Sequence, residues 1–144
     1  MSWKTDNTQP IDEDLLENVK DKIDDGEFGK EDLKDFFTLF AQIANNTEDI
    51  QDEAEGFDRK FQFKFTDHEN AWLIIKDRKF VMGNGNIDAP DNTLEMTITT
   101  AVGIFSGDVD ATAAYMNGDI KVSGVINDVI QFRSILEMVQ EELE

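Results

Sequence analysis

Residues 113–132 read AAYMNGDIKVSGVINDVIQF: the end of a helix closed by Gly118, a short alternating strand, Gly124, and the start of an apolar helix. Glycine enters left-handed backbone without a Cβ clash, so a glycine at each end of DIKVS lets the chain reverse twice within a few residues. The stretch therefore predicts two helices standing over one patch of sheet, joined by a strand that belongs to it. It carries no evident nucleophile, general base or metal cage.

Reading outward toward the C-terminus, the pattern predicts a final helix from Val125 to about Glu142. Its Ile126, Val129, Ile130, Phe132, Ile135, Leu136, Val139 and Leu143 cover more than a single stripe. Toward the N-terminus, Asp110 is placed to cap a helix over Ala111–Asn117, and Thr100–Ser106 reads as a brief helix ended by Gly107. NTLEMTIT, from Asn92, alternates Leu94, Met96 and Ile98 with Thr93, Glu95 and Thr97, and predicts a strand over its whole length. AWLIIK and RKFVMG predict two more strands, meeting at Asp77 and Arg78, with GNGN from Gly83 as a loop. KFQFKFT sets Phe61, Phe63 and Phe65 against Lys60, Gln62 and Lys64, which is the period of a half-buried strand.

Before Lys60 the period is helical. Pro10 precedes Ile11, Leu15, Leu16, Val19 and Ile23, with Asp12, Glu13 and Asp14 where a helix dipole favours negative charge, so a helix is predicted over 11–24. A second runs near 31–45, carrying Leu33, Phe36, Phe37, Phe40, Ile43 and Ala44 on one face, and Thr47 is placed to cap a short third turn of helix ended by Gly56. The sum is α+β: a five-stranded, mainly antiparallel sheet with helices packed on one face. With neither repeat nor low-complexity linker, residues 1–144 are expected to form a single domain, helical over 1–56 and sheet plus C-terminal helices over 57–144.

Charge and composition limit the function. Thirty-two acids against thirteen Lys and Arg give a net charge of -19, which repels phosphate backbones and anionic head groups, so nucleic acid is not an expected partner. The excess is steeper in 1–59, with 18 acids against 6 bases, than in 60–144, with 14 against 7. That acidity suits a solvated surface, or else a basic protein partner facing the N-terminal helices. There is no cysteine, which removes disulfides, thiolate catalysis and thiolate metal sites. No apolar run has the roughly 18 residues of a membrane span, and MSWKTDNTQP lacks the apolar core of a signal peptide. Integral membrane association is therefore not expected, and a cytoplasmic location is.

Catalytic and metal-binding constellations fall short one by one. His68, the only histidine, sits in a predicted turn, and one histidine cannot build a metal triad. GNGNID has Asp88 where a dinucleotide fingerprint needs its third glycine, and no helix follows. Asp108 and Asp110 are better placed to cap a helix than to hold a cation. DKIDDGEFGKED, Asp21–Asp32, lies between two helices like a calcium loop, with Asp21, Asp25, Gly26 and Phe28 at fitting positions. Ile23 nevertheless replaces a ligand, and Asp32 stands in place of the bidentate glutamate. No enzyme activity, no metal and no cofactor are expected, and a calcium-responsive module remains an alternative.

Bulky apolar side chains are more numerous than one helix-on-sheet seam needs: Phe36, Phe37, Phe40, Phe105, Tyr115, Met116, Phe132, Ile135, Leu136 and Met138. Each is compatible with ordinary core; together they permit an apolar cavity. LEMTITT, then IFSGDVDATAAYMNGDIKVSG, then a long apolar helix resembles the sterol carrier protein-2 family of lipid-binding domains. The matching positions are Gly107, Ala111, Ala114, Gly118, Lys121, Val122 and Gly124, and the resemblance covers about residues 57–140.

That resemblance implies a non-enzymatic carrier with an apolar tunnel between sheet and helices, holding a fatty acyl, isoprenoid, sterol-like or acyl-thioester ligand. The residues it points to as lipid-binding are Phe40, Phe105, Tyr115, Met116, Phe132, Ile135, Leu136 and Val139, and Tyr115, Gln131 and Arg133 compete for its mouth. Asp119 departs from the family, which often has a base after the glycine. The chain also ends in Glu-Leu-Glu rather than a Ser-Lys-Leu peroxisomal address. An acidic accessory protein presenting a lipid intermediate to a basic enzyme is the competing reading.

Overall fold

The alternation of KFQFKFT becomes the middle strand of the sheet. In a computed structural model that describes residues 2–144, β1 (Arg59–Phe65) lies between β2 (Ala71–Lys76) and β4 (Asn92–Met96). β3 (Lys79–Asn84) and β5 (Lys121–Ser123) complete a five-stranded sheet in the order β3-β2-β1-β4-β5. Every neighbouring pair is antiparallel except β1 with β4, which is parallel. Registers align Phe63 with Ala71 and Leu94, and Leu94 with Val122. Because successive residues point to opposite faces, Phe61, Phe63, Phe65, Leu73, Ile75, Phe80, Met82, Leu94 and Met96 all fall on the buried face.

Among the described residues six α-helices accompany the sheet: α1 (Glu13–Asp24), α2 (Leu33–Asn45), α3 (Glu48–Glu53), α4 (Ile98–Ser106), α5 (Ala111–Met116) and α6 (Ile126–Glu141). α1 starts at Glu13 rather than at residue 11: Asp12, expected within the first turn, stands before it as the N-cap, its side chain accepting from the Leu15 amide. A 3-10 turn, Lys30–Asp32, leads into α2, the most deeply buried helix. Phe37 of α2 stacks on Phe63 of β1 with ring centroids 6.3 Å apart and meets Phe105 of α4 edge-on at 5.1 Å. Such offset and edge-to-face contacts add to the stabilisation that area burial alone supplies.

Two features of the sheet are non-local. Residues 3–5 run along the outer edge of β3: the Thr5 amide donates to Met82 O at 2.8 Å, the Met82 amide to Thr5 Oγ1 at 2.9 Å, and the Asn84 amide to Trp3 O at 3.2 Å. At the other end of β3 the buried Asn45 side chain forms both bonds of a strand partner with Phe80, each 2.8 Å long. On the opposite face of the sheet Trp72 packs so closely over Gly83 that a Cβ there would lie 2.3 Å from its ring. Gln62, also on that face, is buried yet satisfied, donating to Ala71 O and Gly85 O and accepting from the Ile87 amide.

Several expectations are corrected. β4 ends at Met96, and Ile98 opens α4 rather than closing a strand; Thr97 caps that helix, its Oγ1 accepting from the Thr100 amide at 3.2 Å. Thr47 stands at the start of α3 without a side-chain capping bond. The Asp21–Asp32 segment does not form a calcium loop. Asp21 lies inside α1, and the Asp32 carboxylate is taken by Lys22 Nζ at 2.6 Å and the Gly29 amide at 2.9 Å. Among the described residues no cluster of three histidines or carboxylates is spaced to hold a metal ion. Gly83 and Asn84, expected in a loop, are the last two residues of β3, and the chain leaves the strand only at Gly85, at φ +89°; His68 sits exposed in the β1–β2 turn with its ring edge-on to Phe65.

Candidate functional site

α6 carries two apolar stripes, and they do different things. Phe132, Ile135 and Val139 recur at helical spacing on the stripe that enters the core, where Phe132 meets Phe61 at 5.2 Å and Phe63 at 5.5 Å. Ile126, Val129 and Ile130, with Arg133 beside them, form a second and less buried stripe, of which Val129 still packs against the core. Between that stripe and the sheet is a cavity of about 450 Å³.

Each wall comes from a different element. Phe63, Leu94, Met96 and Val122 form the floor on the buried face of β1, β4 and β5. Ile104 and Phe105 of α4 close one end, while Ala111, Thr112, Tyr115 and Met116 of α5, with Ile120, form the side facing α6. Four large apolar residues of its lining remain at least two-fifths exposed: Ile126 and Ile130 on the α6 side, Tyr115 and Met116 on the α5 side. Met116 is the extreme, at 79%. An apolar side chain left in water beside an apolar cavity gains by covering that surface, and a ligand that enters the cavity supplies the cover.

The polar groups of the lining are Thr112, Tyr115 and Arg133. Among the described residues Arg133 is the only charged one in it, and its guanidinium is tied from Nη2 to Asp110 Oδ1 at 3.1 Å and from Nε to Glu137 Oε1 at 3.2 Å. Asp110 also caps α5, its Oδ1 accepting from the Thr112 amide. Behind Arg133 a smaller cavity of about 340 Å³ shares Ile104, Ala111, Arg133 and Leu136 with the first, and is otherwise lined by Gly107, Asp108, Val109, Asp110, Glu137 and Gln140.

The start of α6 is tied to the sheet by a polar node beside Gly124. Asn92 Oδ1 accepts from the Val125 amide at 2.8 Å, capping α6 from a neighbouring strand where Val125 has no side-chain oxygen of its own. Gly124, at φ +134°, lets the chain pass Asn92 at a distance no Cβ tolerates: one placed there would be 2.2 Å from Oδ1. Gly118, at φ +82°, meets nothing within 4 Å, so only its backbone conformation requires glycine.

The cavity brings together Phe105, Tyr115, Met116, Phe132 and Leu136. Phe40, Ile135 and Val139 are not in its lining; all three are buried in the core, with Phe40 edge-on to Phe80 of β3. Of the three contenders for the mouth, Tyr115 and Arg133 line the cavity. Gln131 turns away and donates to Glu53 O. The lining residues that sequence reasoning missed are chiefly Ile126, Val129 and Ile130. Their signal was present as the second stripe of the last helix. No helix among the described residues is long and apolar enough to cross a membrane.

Comparison with known proteins adds the family. The family model for the SCP-2 sterol transfer family matches residues 38–137, from α2 through most of α6. Comparison with curated protein sequences gives no match. Among solved structures, the apo form of Sterol Carrier Protein 2 from Yarrowia lipolytica superposes with a TM-score of 0.59 at 18% identity, over 72% of this chain and 88% of that one. The ubiquinone synthesis protein UbiJ-SCP2 gives 0.60 at 12% identity, over 72% and 87%. The stereoselective inverting sec-alkylsulfatase Pisa1 from Pseudomonas sp. also matches, at 0.59 and 22% identity, but this chain covers only 16% of its length. At these identities the likeness is one of fold. The family match spans more than half the sequence and contains both glycines, the strand between them and the stripe on α6 that lines the cavity, and on that ground the chain belongs to the SCP-2 sterol transfer family.

Proposed function

We propose that this protein binds and carries a hydrophobic ligand, a fatty acyl, isoprenoid or sterol-like lipid, in the cavity between α5, α6 and the sheet, and that it does so without catalysing a reaction. One observation carries the reading: an apolar space of about 450 Å³ rimmed by apolar side chains that are left in water. Its size lies within the roughly 300–1,000 Å³ typical of small-molecule pockets. Each methylene moved from water into it contributes about 0.8 kcal/mol, so a chain of ten gains about 8 kcal/mol before the cost of association is subtracted. Affinity of that origin depends on cavity length and shape and needs no reactive group.

Family membership supports the carrier reading, and the lining supports the absence of chemistry, since it pairs no nucleophile with a base. The reading places Phe105, Tyr115, Met116, Phe132 and Leu136 against ligand and leaves Phe40, Ile135 and Val139 as the packing that holds α6. Delipidated protein is titrated with a pyrene-labelled long-chain alcohol and binding is followed by fluorescence, with native mass spectrometry for stoichiometry. Saturable binding of one molecule per chain is expected; absence of binding by both measurements overturns the proposal.

A further inference from the structure

Resting on that carrier reading, we propose that the cavity selects uncharged amphiphiles, ending in a hydroxyl, carbonyl or ester, over those ending in an ionised carboxylate or phosphate. The cavity's polar equipment decides it. An anionic head entering an apolar space needs a cation or several free donors to replace its water. Here Arg133, the only cation in the lining among the described residues, is already shared between Asp110 and Glu137. Two carboxylates on one guanidinium leave the rim net negative, and Asp108 lines the adjoining cavity as well.

Other donors are committed elsewhere. Gln140 spends its amide on Ile104 O and Phe105 O, at 3.0 and 3.2 Å. Lys121 precedes Val122, which faces the cavity, so strand alternation turns the lysine to the opposite side of the sheet. Arg59 is bound to Asp128 at 2.9 Å. What remains in the lining is the hydroxyl pair of Thr112 and Tyr115. A hydroxyl donates or accepts as its partner requires, which suits an alcohol or carbonyl and does not neutralise a charge.

The test compares two probes that share one pyrene-labelled chain and differ only at the head, a primary alcohol against a carboxylic acid, at about pH 8, where a dissolved acid is ionised. Wild-type protein is expected to bind the alcohol roughly tenfold or more tighter than the acid. The preference should shrink as salt is raised, since the repulsion acts at an exposed rim. In Glu137→Gln, an exposed change on the surface of α6, affinity for the acid should rise while that for the alcohol stays the same. Asp110→Asn combined with Glu137→Gln should raise acid affinity further, to roughly tenfold over wild type, and asparagine still caps α5. Unchanged alcohol binding shows that the variants keep the cavity. Equal or tighter binding of the acid by wild type, or no gain in either variant, overturns the proposed selectivity and leaves the carrier reading intact. Failure of both probes to bind overturns the carrier reading, and the selectivity with it.

Discussion

Asn92 at the start of β4 and Asp128 in the first turn of α6 share a hydrogen bond of 3.0 Å across 36 residues of sequence. Both side chains are buried, and each holds a second partner: Asn92 accepts from the Val125 amide, and Asp128 accepts from Arg59 Nε at 2.9 Å. The pair therefore joins sheet and helix at the point where α6 begins, and the position of the cavity's α6 wall depends on it. Asn92→Ala leaves a helix amide and part of a buried carboxylate without partners. Removing the partner of a buried polar group costs about 1–3 kcal/mol, more beside a charge, so a loss of about 3 kcal/mol is expected in urea unfolding.

The two glycines that bracket β5 should respond differently to alanine. Gly118→Ala adds a methyl group in open space and suffers only from its left-handed backbone, a cost of about 1–2 kcal/mol. Gly124→Ala meets Asn92 Oδ1 and the Asp91 carbonyl as well, and backbone does not swing aside. Its loss should be larger by about 1–3 kcal/mol, as strain at a constrained position is. Side-by-side denaturation of the two variants measures the difference, and equal losses would show that the approach of Gly124 to Asn92 is unimportant.

Leu136→Trp should fill the cavity. Overpacking at such a site costs about 1–3 kcal/mol in stability, and binding of the pyrene-labelled alcohol should fall well beyond what that loss explains. Met116→Asp makes the complementary case at the 79% exposed rim. Stability should change by no more than about 0.5 kcal/mol, as at ordinary surface sites, while probe affinity drops. A variant that keeps full affinity would move Met116 out of the site.

How far the sequence carried the fold can be judged at three places. The phenylalanines of KFQFKFT were readable because their alternation is a local property of a strand with one buried face. Ile98 was misread for an equally physical reason. A helix cap such as Thr97 keeps extended backbone, here φ -75° and ψ 160°, so the alternation of Leu94 and Met96 appears to continue one step past the strand's end. The pairing of residues 3–5 with β3 left no local trace, since it depends on backbone groups nearly eighty residues apart.

The site was legible in the same uneven way. That α6 bore too many apolar residues for one stripe was visible, but which stripe entered the core was set by β1 and α2, through Phe61, Phe63 and Phe40 around Phe132. Ile135 and Val139 accordingly went to the core and Ile126, Val129 and Ile130 to the cavity, a division that helical spacing alone leaves open. Arg133 was a candidate from its place near the mouth. Its pairing with Asp110, which decides its charge balance, required the fold to bring two helices together.

Lys22 offers a test by pH. Its hydrogen bond and ion pair with Asp32 raise the ammonium pKa above its ordinary value. A raised folded pKa means that the stabilisation is fully present below the unfolded pKa, about 10.4, and is lost as pH climbs through the folded value. The difference in Tm between wild type and Lys22→Gln should therefore be constant from neutral pH to about pH 10 and vanish above it. A difference that shrinks between pH 6 and 8 would assign the effect to another group.

The outer edge of β3 is occupied along its length, by Asn45 at one end and by residues 3–5 at the other. The sheet's other border, β5, is only three residues long. Neither offers a neighbouring molecule a row of free amides and carbonyls on which to grow a ladder. For a protein whose proposed work leaves greasy side chains in water, this matters: two molecules that meet through those side chains find only a three-residue strand edge with which to make the encounter permanent, so crowding favours reversible contact over fibrils.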